Sequence, residues 1–207
     1  MSLTDASDIA ASLQRCSWSS GTPDYTRYHD TEWGVPVQGD VAFFERMTFE
    51  AFQSGLSWLI IMRKRPAFRT AFAGFDPEAV AAFDDSDIER LLADPGIVRN
   101  RQKIVATIAN ARALRELQAT EGEGALERLM YEHAPSEAEL RREGFRRPPR
   151  EIGDLPTAVN ASKALAKALK SRGFVFVGPT TLYAGMQANG LVNDHLAGCF
   201  RRASSVG

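Results

Sequence analysis

Four side chains far apart in the chain have the chemistry to hold one metal ion: Cys16 and His29 near the start, His195 and Cys199 near the end. They include both cysteines and two of the three histidines in 207 residues. Two thiolates and two imidazoles fill a tetrahedral zinc shell and leave no position for water, the pattern of a structural ion. His195 and Cys199 are four residues apart, the spacing that stacks two side chains on one face of a helix. The sequence therefore predicts a helix opening at Asp194. The 13-residue step from Cys16 to His29 matches no zinc-finger spacing, so four unrelated core or surface residues remain the alternative at this point. The third histidine, His133, sits among charges and reads as a solvated helix residue.

A second group lies between Trp18 and Trp58, which bracket all three tryptophans (the third is Trp33), with Tyr25, Tyr28 and Glu50. Glu50 interrupts the apolar run Met47-Thr48-Phe49-Glu50-Ala51-Phe52, where a carboxylate is costly unless paired or protonated. An aromatic slot with one carboxylate suits a planar base bearing an exocyclic amine. A base that undergoes chemistry must leave the helical stack to be read this way. Ordinary aromatic core packing is the alternative.

Helices must position these groups. Asp40 is expected to cap a helix through Phe43, Phe44, Met47 and Phe52, which Gly55 breaks. Ser57 starts another through Trp58 to Met62, and Pro66 opens a short piece. Asp76-Pro77 caps a helix reaching Phe83, and Ser86 begins one through Ile88, Leu91 and Leu92. After the turn Asp94-Pro95-Gly96-Ile97, a long helix places Ile104, Ile108, Ala111 and Leu114 on one face. Residues 120–150 read as a helix and a surface loop. A helix from Asn160 or Ser162 to Gly173 follows, then one from Pro179 over Tyr183 and Met186 to Gly190. Phe174 to Val177 alternates too briefly to define a sheet, so the expectation is an all-α chain.

The apolar fraction of 44% supports a real core. No apolar run approaches the length of a membrane span, and the first residues carry acids rather than a basic signal region, which predicts a soluble cytoplasmic protein. Two cysteines at opposite ends make no disulfide framework. Net charge is −1, but residues 1–60 hold 3 basic and 8 acidic groups while the rest holds 22 and 18. Basic groups gather at Arg63 to Arg65, at Arg99, Arg101 and Lys103, at Arg141 to Arg150, and at Lys163 to Arg172. Such runs permit phosphate binding without establishing it. In the hairpin of residues 86–118, Gly96 opens the turn to backbone N–H contact with a phosphate, and Arg99 and Lys103 add counterion-release affinity. An ordinary αα-turn is the alternative.

The stretches Tyr28-His29-Asp30-Thr31-Glu32-Trp33-Gly34-Val35-Pro36, Gln53-Ser54-Gly55-Leu56-Ser57-Trp58, Gly96-Ile97-Val98-Arg99 and Gly190-Leu191-Val192-Asn193-Asp194-His195 together resemble the 3-methyladenine DNA glycosylase I family. The resemblance runs in order from about Arg15 to Cys199. It implies an all-α helix-hairpin-helix DNA glycosylase fold over residues 15–200, with residues 1–14 an extension without assigned role and 201–207 a tail. It implies a structural zinc on Cys16, His29, His195 and Cys199 joining the terminal segments. By the same resemblance Glu50 is the candidate catalytic carboxylate, Tyr28 and Trp58 line the base pocket with Trp33 beside them, and Leu56 is the wedge that fills the gap left by an extruded nucleotide. The implied partner is double-stranded DNA containing alkylated purines, met by a monomer that cleaves the N-glycosidic bond of 3-methyladenine without lyase action. The wider superfamily usually carries a catalytic Asp beyond the hairpin. None occurs here between Asp94 and Asp154, as the resembling family implies. A DNA-binding module without catalysis and a zinc hydrolase are the rival classes. The first has no need of Glu50, and the second needs an open coordination position.

Overall fold

The computed structural model describes residues 13–204, and no strand occurs among them. Eleven α-helices are described: α1 (Pro23–Thr31), α2 (Asp40–Gln53), α3 (Trp58–Ala71), α4 (Pro77–Ala81), α5 (Asp85–Ala93), α6 (Arg101–Glu121), α7 (Ala125–Glu132), α8 (Glu137–Arg142), α9 (Asn160–Lys170), α10 (Pro179–Ala188) and α11 (Phe200–Ser204). Most of the expected extension, residues 1–12, lies outside the described residues. α11 occupies the start of the expected tail.

The chain divides into two compact units. The larger, residues 36–134 and 157–186, is built on phenylalanine. Phe43, Phe44, Phe49, Phe52, Phe68, Phe72 and Phe75 are all fully buried. Phe72 stacks on Phe68 and Phe75, while other rings meet edge to face, Phe52 on Phe68 at 4.7 Å and Phe49 on Phe75 at 5.4 Å between centroids. Edge to face is an arrangement the ring quadrupole favours. The long helix α6 buries the expected stripe of Ile104, Ile108, Ala111 and Leu114.

Several local expectations are corrected. Asp40 does not cap α2, whose N-cap is Gly39. Its buried carboxylate instead accepts from the N–H groups of Gly124 and Glu127, both at 3.0 Å, and from Nε2 of Gln118 at 2.8 Å. It thereby caps α7, whose own N-cap is a glycine with no side chain to offer. Pro66 opens no new piece, because α3 runs through it to Ala71. α5 starts at a capping box of Asp84 and Asp87 rather than at Ser86. Asn100 caps α6, so Arg99 precedes the helix. His133 ends α7, with Nδ1 2.9 Å from the Leu129 carbonyl.

The smaller unit gathers, among the described residues, 13–35, 135–156 and 187–204. Its main correction concerns residues 193–199, which form no helix. Their N–H groups are taken elsewhere: Leu196 donates to Sγ of Cys16 at 3.3 Å and Ala197 to the Pro149 carbonyl at 2.7 Å. A turn with Cys199 N–H on the Leu196 carbonyl brings Cys199 back toward His195.

Candidate functional site

The smaller unit brings Cys16, His29, His195 and Cys199 together, all buried, with their donor atoms within 4.8 Å of one another. Nδ1 of His195 lies 3.6 Å from each sulfur, and Nε2 of His29 lies 3.3 Å from Sγ of Cys199. Bond lengths of ~2.3 Å to sulfur and ~2.0 Å to nitrogen give tetrahedral edges of about 3.5 Å, so the cage fits zinc. Burial pushes the Cys16 thiol up to about 12, although the Leu196 N–H opposes it. Burial also drives His195 down to about 4. With no cation Cys16 and His195 are neutral, and a metal ion supplies the charge that favours a thiolate.

Neighbouring groups orient the donors. Nδ1 of His29 sits 2.8 Å from Oδ1 of Asp30, which leaves Nε2 facing the cage. A carboxylate behind a histidine ligand fixes its tautomer and raises its basicity. Asp30 is itself held by Nε of Arg15 at 3.0 Å and Nη2 at 2.9 Å. Burial raises the Asp30 carboxyl, but the Arg15 and His29 bonds outweigh it and leave the group below its ordinary range. Gly34 backs His195: its φ is +76°, and a Cβ there would stand 2.9 Å from Nε2 of that imidazole. Only glycine meets both demands.

The aromatic density around Trp18 serves this cage. The Trp33 ring stands edge-on to His195 at 4.6 Å, and Trp18 packs against His29 at 5.4 Å and Trp33 at 5.1 Å. Sequence reasoning also missed Arg147. Its fully buried side chain pairs with Asp194, whose other oxygen accepts from Nε2 of Gln187 at 2.6 Å. Arg147 donates as well to the Asn193 carbonyl at 2.6 Å. These bonds fix the peptide that presents His195. Nothing local marks Arg147 among the arginines of residues 141–150.

The residues expected to read a base are divided between the units: Tyr28 and Trp33 in the smaller, Glu50 and Trp58 in the larger. All four are buried. Burial pushes the Glu50 carboxyl up to about 8, and the Arg46 charge only partly opposes it. The carboxyl is therefore mostly protonated near neutral pH. Gly185 of α10 faces it, since a Cβ there would meet Cγ of Glu50 at 3.9 Å.

Leu56 stands exposed on the turn between α2 and α3, after Gly55 at φ +83°. Arg99 is exposed beside the α5–α6 turn. The other two hairpin residues are engaged inside the protein. Gly96 donates its N–H to Oδ1 of Asp94 at 2.7 Å, and its own Cβ would stand 2.9 Å from Cβ of Ala67. Close packing therefore demands glycine there. Lys103 is buried and donates to the Phe52 and Ser54 carbonyls at 2.9 and 2.7 Å.

The fold is that of the helical DNA glycosylases: it aligns with a crystal structure of 3-methyladenine DNA glycosylase I at a TM-score of 0.81 and 43% identity, over 90% of this chain and 98% of the other. The Staphylococcus aureus enzyme, described for its recognition of 3-methyladenine, aligns at 0.80 and 30% identity over 92% and 97% of the two chains. A sequence model of the methyladenine glycosylase family matches residues 18–202. DNA-3-methyladenine glycosylase 1 of Escherichia coli K12 is 43% identical over 90% of this chain and 96% of its own length. The Haemophilus influenzae Rd enzyme is 38% identical over 89% and 96%. The chain belongs to the methyladenine glycosylase family.

Proposed function

We propose that the chain is a DNA-repair glycosylase that hydrolyses the N-glycosidic bond of 3-methyladenine in alkylated double-stranded DNA, releasing the free base and leaving an abasic site. Family membership over nearly the whole chain supports the reaction. The observation that ties it to residues of this chain is the buried Glu50 carboxyl, pushed up to about 8.

Methylation at N3 gives adenine a positive charge. When the bond from C1′ breaks, its electron pair goes to the base, which departs neutral; water adds to C1′ and releases a proton. Such a leaving group needs little acid catalysis, so much of the rate advantage comes from selective binding. Glu50 accepts from the exocyclic amine, and the charge of the purine favours the carboxylate form. Neutral adenine offers the same amine but no charge to stabilise the ionised carboxylate, so it is bound less tightly than the cationic base. By the family resemblance, Trp58 is assigned stacking on the extruded base, Tyr28 its orientation by hydrogen bonding, Trp33 a further part in base binding, and Leu56 entry into the vacated stack. No lysine nucleophile is required, so the enzyme is monofunctional.

The ion held by Cys16, His29, His195 and Cys199 is zinc, in a structural role. Four ligands of these types close its shell, and it supplies binding energy to the fold rather than a Lewis acid to the reaction. The α5–α6 segment is a helix-hairpin-helix that meets the DNA backbone, and the enzyme acts as a monomer in the cytoplasm. Among the described residues, no helix is long and apolar enough to cross a membrane.

The test is to incubate the purified protein with methylated duplex DNA and identify the released bases by chromatography. Free 3-methyladenine and alkali-labile abasic sites are expected. Duplex binding without any release of methylated base would favour the non-catalytic module.

A further inference from the structure

Lys103 occupies an odd position for a cation. It lies in the first turn of α6, where the helix dipole disfavours positive charge. It is 7% exposed, and burial pulls its ammonium below the ordinary lysine range. What offsets these costs is the far end of another helix. Nζ donates to the carbonyl of Phe52, in the last turn of α2, at 2.9 Å. It donates also to the carbonyl of Ser54, the C-cap of that helix, at 2.7 Å. The last carbonyls of a helix have no partners of their own and carry partial negative charge.

The held segment is the one that presents Leu56. From Ser54 the chain turns through Gly55 at φ +83°, with the Leu56 N–H on the Gln53 carbonyl at 2.7 Å, and enters α3 at Ser57. Leu56 is 38% exposed at the tip. A residue that must enter a base stack needs a base that does not yield. An exposed turn with a left-handed glycine is otherwise free to shift.

We propose that Lys103 is a positioning residue for base extrusion: from the hairpin helix it anchors the turn that carries Leu56, and it does not bind phosphate. The inference rests on the reading of Leu56 as the wedge. It replaces the role of DNA contact expected of this lysine with one exerted through the protein.

The experiment compares single-turnover release of 3-methyladenine from methylated duplex and single-stranded DNA by the full-length protein. The variants are Lys103→Met, Lys103→Gln, Lys103→Arg, Leu56→Ala and the Lys103→Met/Leu56→Ala double variant. Lys103→Met is expected to slow duplex excision about tenfold more than single-strand excision. Lys103→Arg, which retains charged donors, recovers part of the loss. In the double variant the losses do not add, because both act at one turn. The salt dependence of binding to abasic duplex stays at the wild-type slope, whereas a lost phosphate contact would lower its magnitude by about 0.9. Equal losses on both DNA forms, additive losses, or a flattened salt slope would overturn the proposal. If Lys103→Met does not fold, Lys103→Gln carries the comparison; if no Lys103 variant folds, the residue is a core anchor and the proposal fails. Should Leu56→Ala itself lose equally on both DNA forms, the wedge reading fails, whatever Lys103 does.

Discussion

Glu50 shows how one side chain links sequence, stability and recognition. An acid in an apolar run announces itself in the sequence, and its burial on α2 fulfils that expectation. Its proton is held to about pH 8 in the folded protein against 4.5 for the ordinary group. Between those values the folded state binds more proton than the unfolded state, so stability falls as pH rises. We expect Glu50→Gln to melt like the wild type below about pH 4.5 and progressively higher above it. The gap should grow by at most about 1.4 kcal/mol per pH unit until it levels off near 8. Thermal melting of both proteins across that range checks this, and parallel curves would show that the carboxyl is not desolvated. Lys103 and Arg147 carried no such mark. A lysine beside arginines in a basic hairpin reads as a phosphate contact, and an arginine in a charged loop reads as solvated. Only bonds to segments 46 to 51 residues away show that both are engaged inside the protein.

Helices that end on their own sequence signals were legible, and those that depend on a distant partner were not. The stop at Gly55 and the start at Pro179 follow from backbone preference alone. Asp40 misled because an acid before an apolar stripe fits a local cap equally well. Its real partners are three donors 78 to 87 residues away. Asp40→Ala leaves two backbone N–H groups at the head of α7 without an acceptor. It should cost about 1–3 kcal/mol in melting experiments, with excision per folded molecule preserved. An unchanged melting temperature would mean that solvent replaces the carboxylate there. The loop over residues 193–199 misled in a similar way, since a four-residue spacing suits a tight turn as well as a helix. At the hairpin, Arg99 and Arg101 are both exposed, and Arg101 pairs with Glu89, so Arg99 is the cation we propose meets DNA. Arg99→Ala should weaken duplex binding and lower the salt slope by about 0.9, without changing which base is released. A slope equal to wild type would move the DNA to another surface.

At the scale of the molecule, rare residue types made the Cys₂His₂ group readable before any fold was known. The carboxylate of Asp30, the glycine behind His195 and the two tryptophans against the cage became visible only in three dimensions. One zinc per chain is expected by elemental analysis. Cys199→Ser should lose most of it and melt lower, because the buried cage then lacks a ligand and its binding energy no longer adds to folding. Full metal content with unchanged melting would remove the site. The central claim is that a buried carboxyl selects a cationic purine for excision, and one measurement addresses it directly. It is single-turnover release of 3-methyladenine from methylated duplex DNA by wild type and Glu50→Gln, with affinity for abasic duplex measured alongside. The account predicts a folded Glu50→Gln protein that excises about tenfold to a hundredfold more slowly, the effect of about 1.5–3 kcal/mol in a charge-assisted hydrogen bond. Its affinity for abasic DNA, which presents no base to read, should stay near wild type. Wild-type excision by the folded variant would contradict the claim.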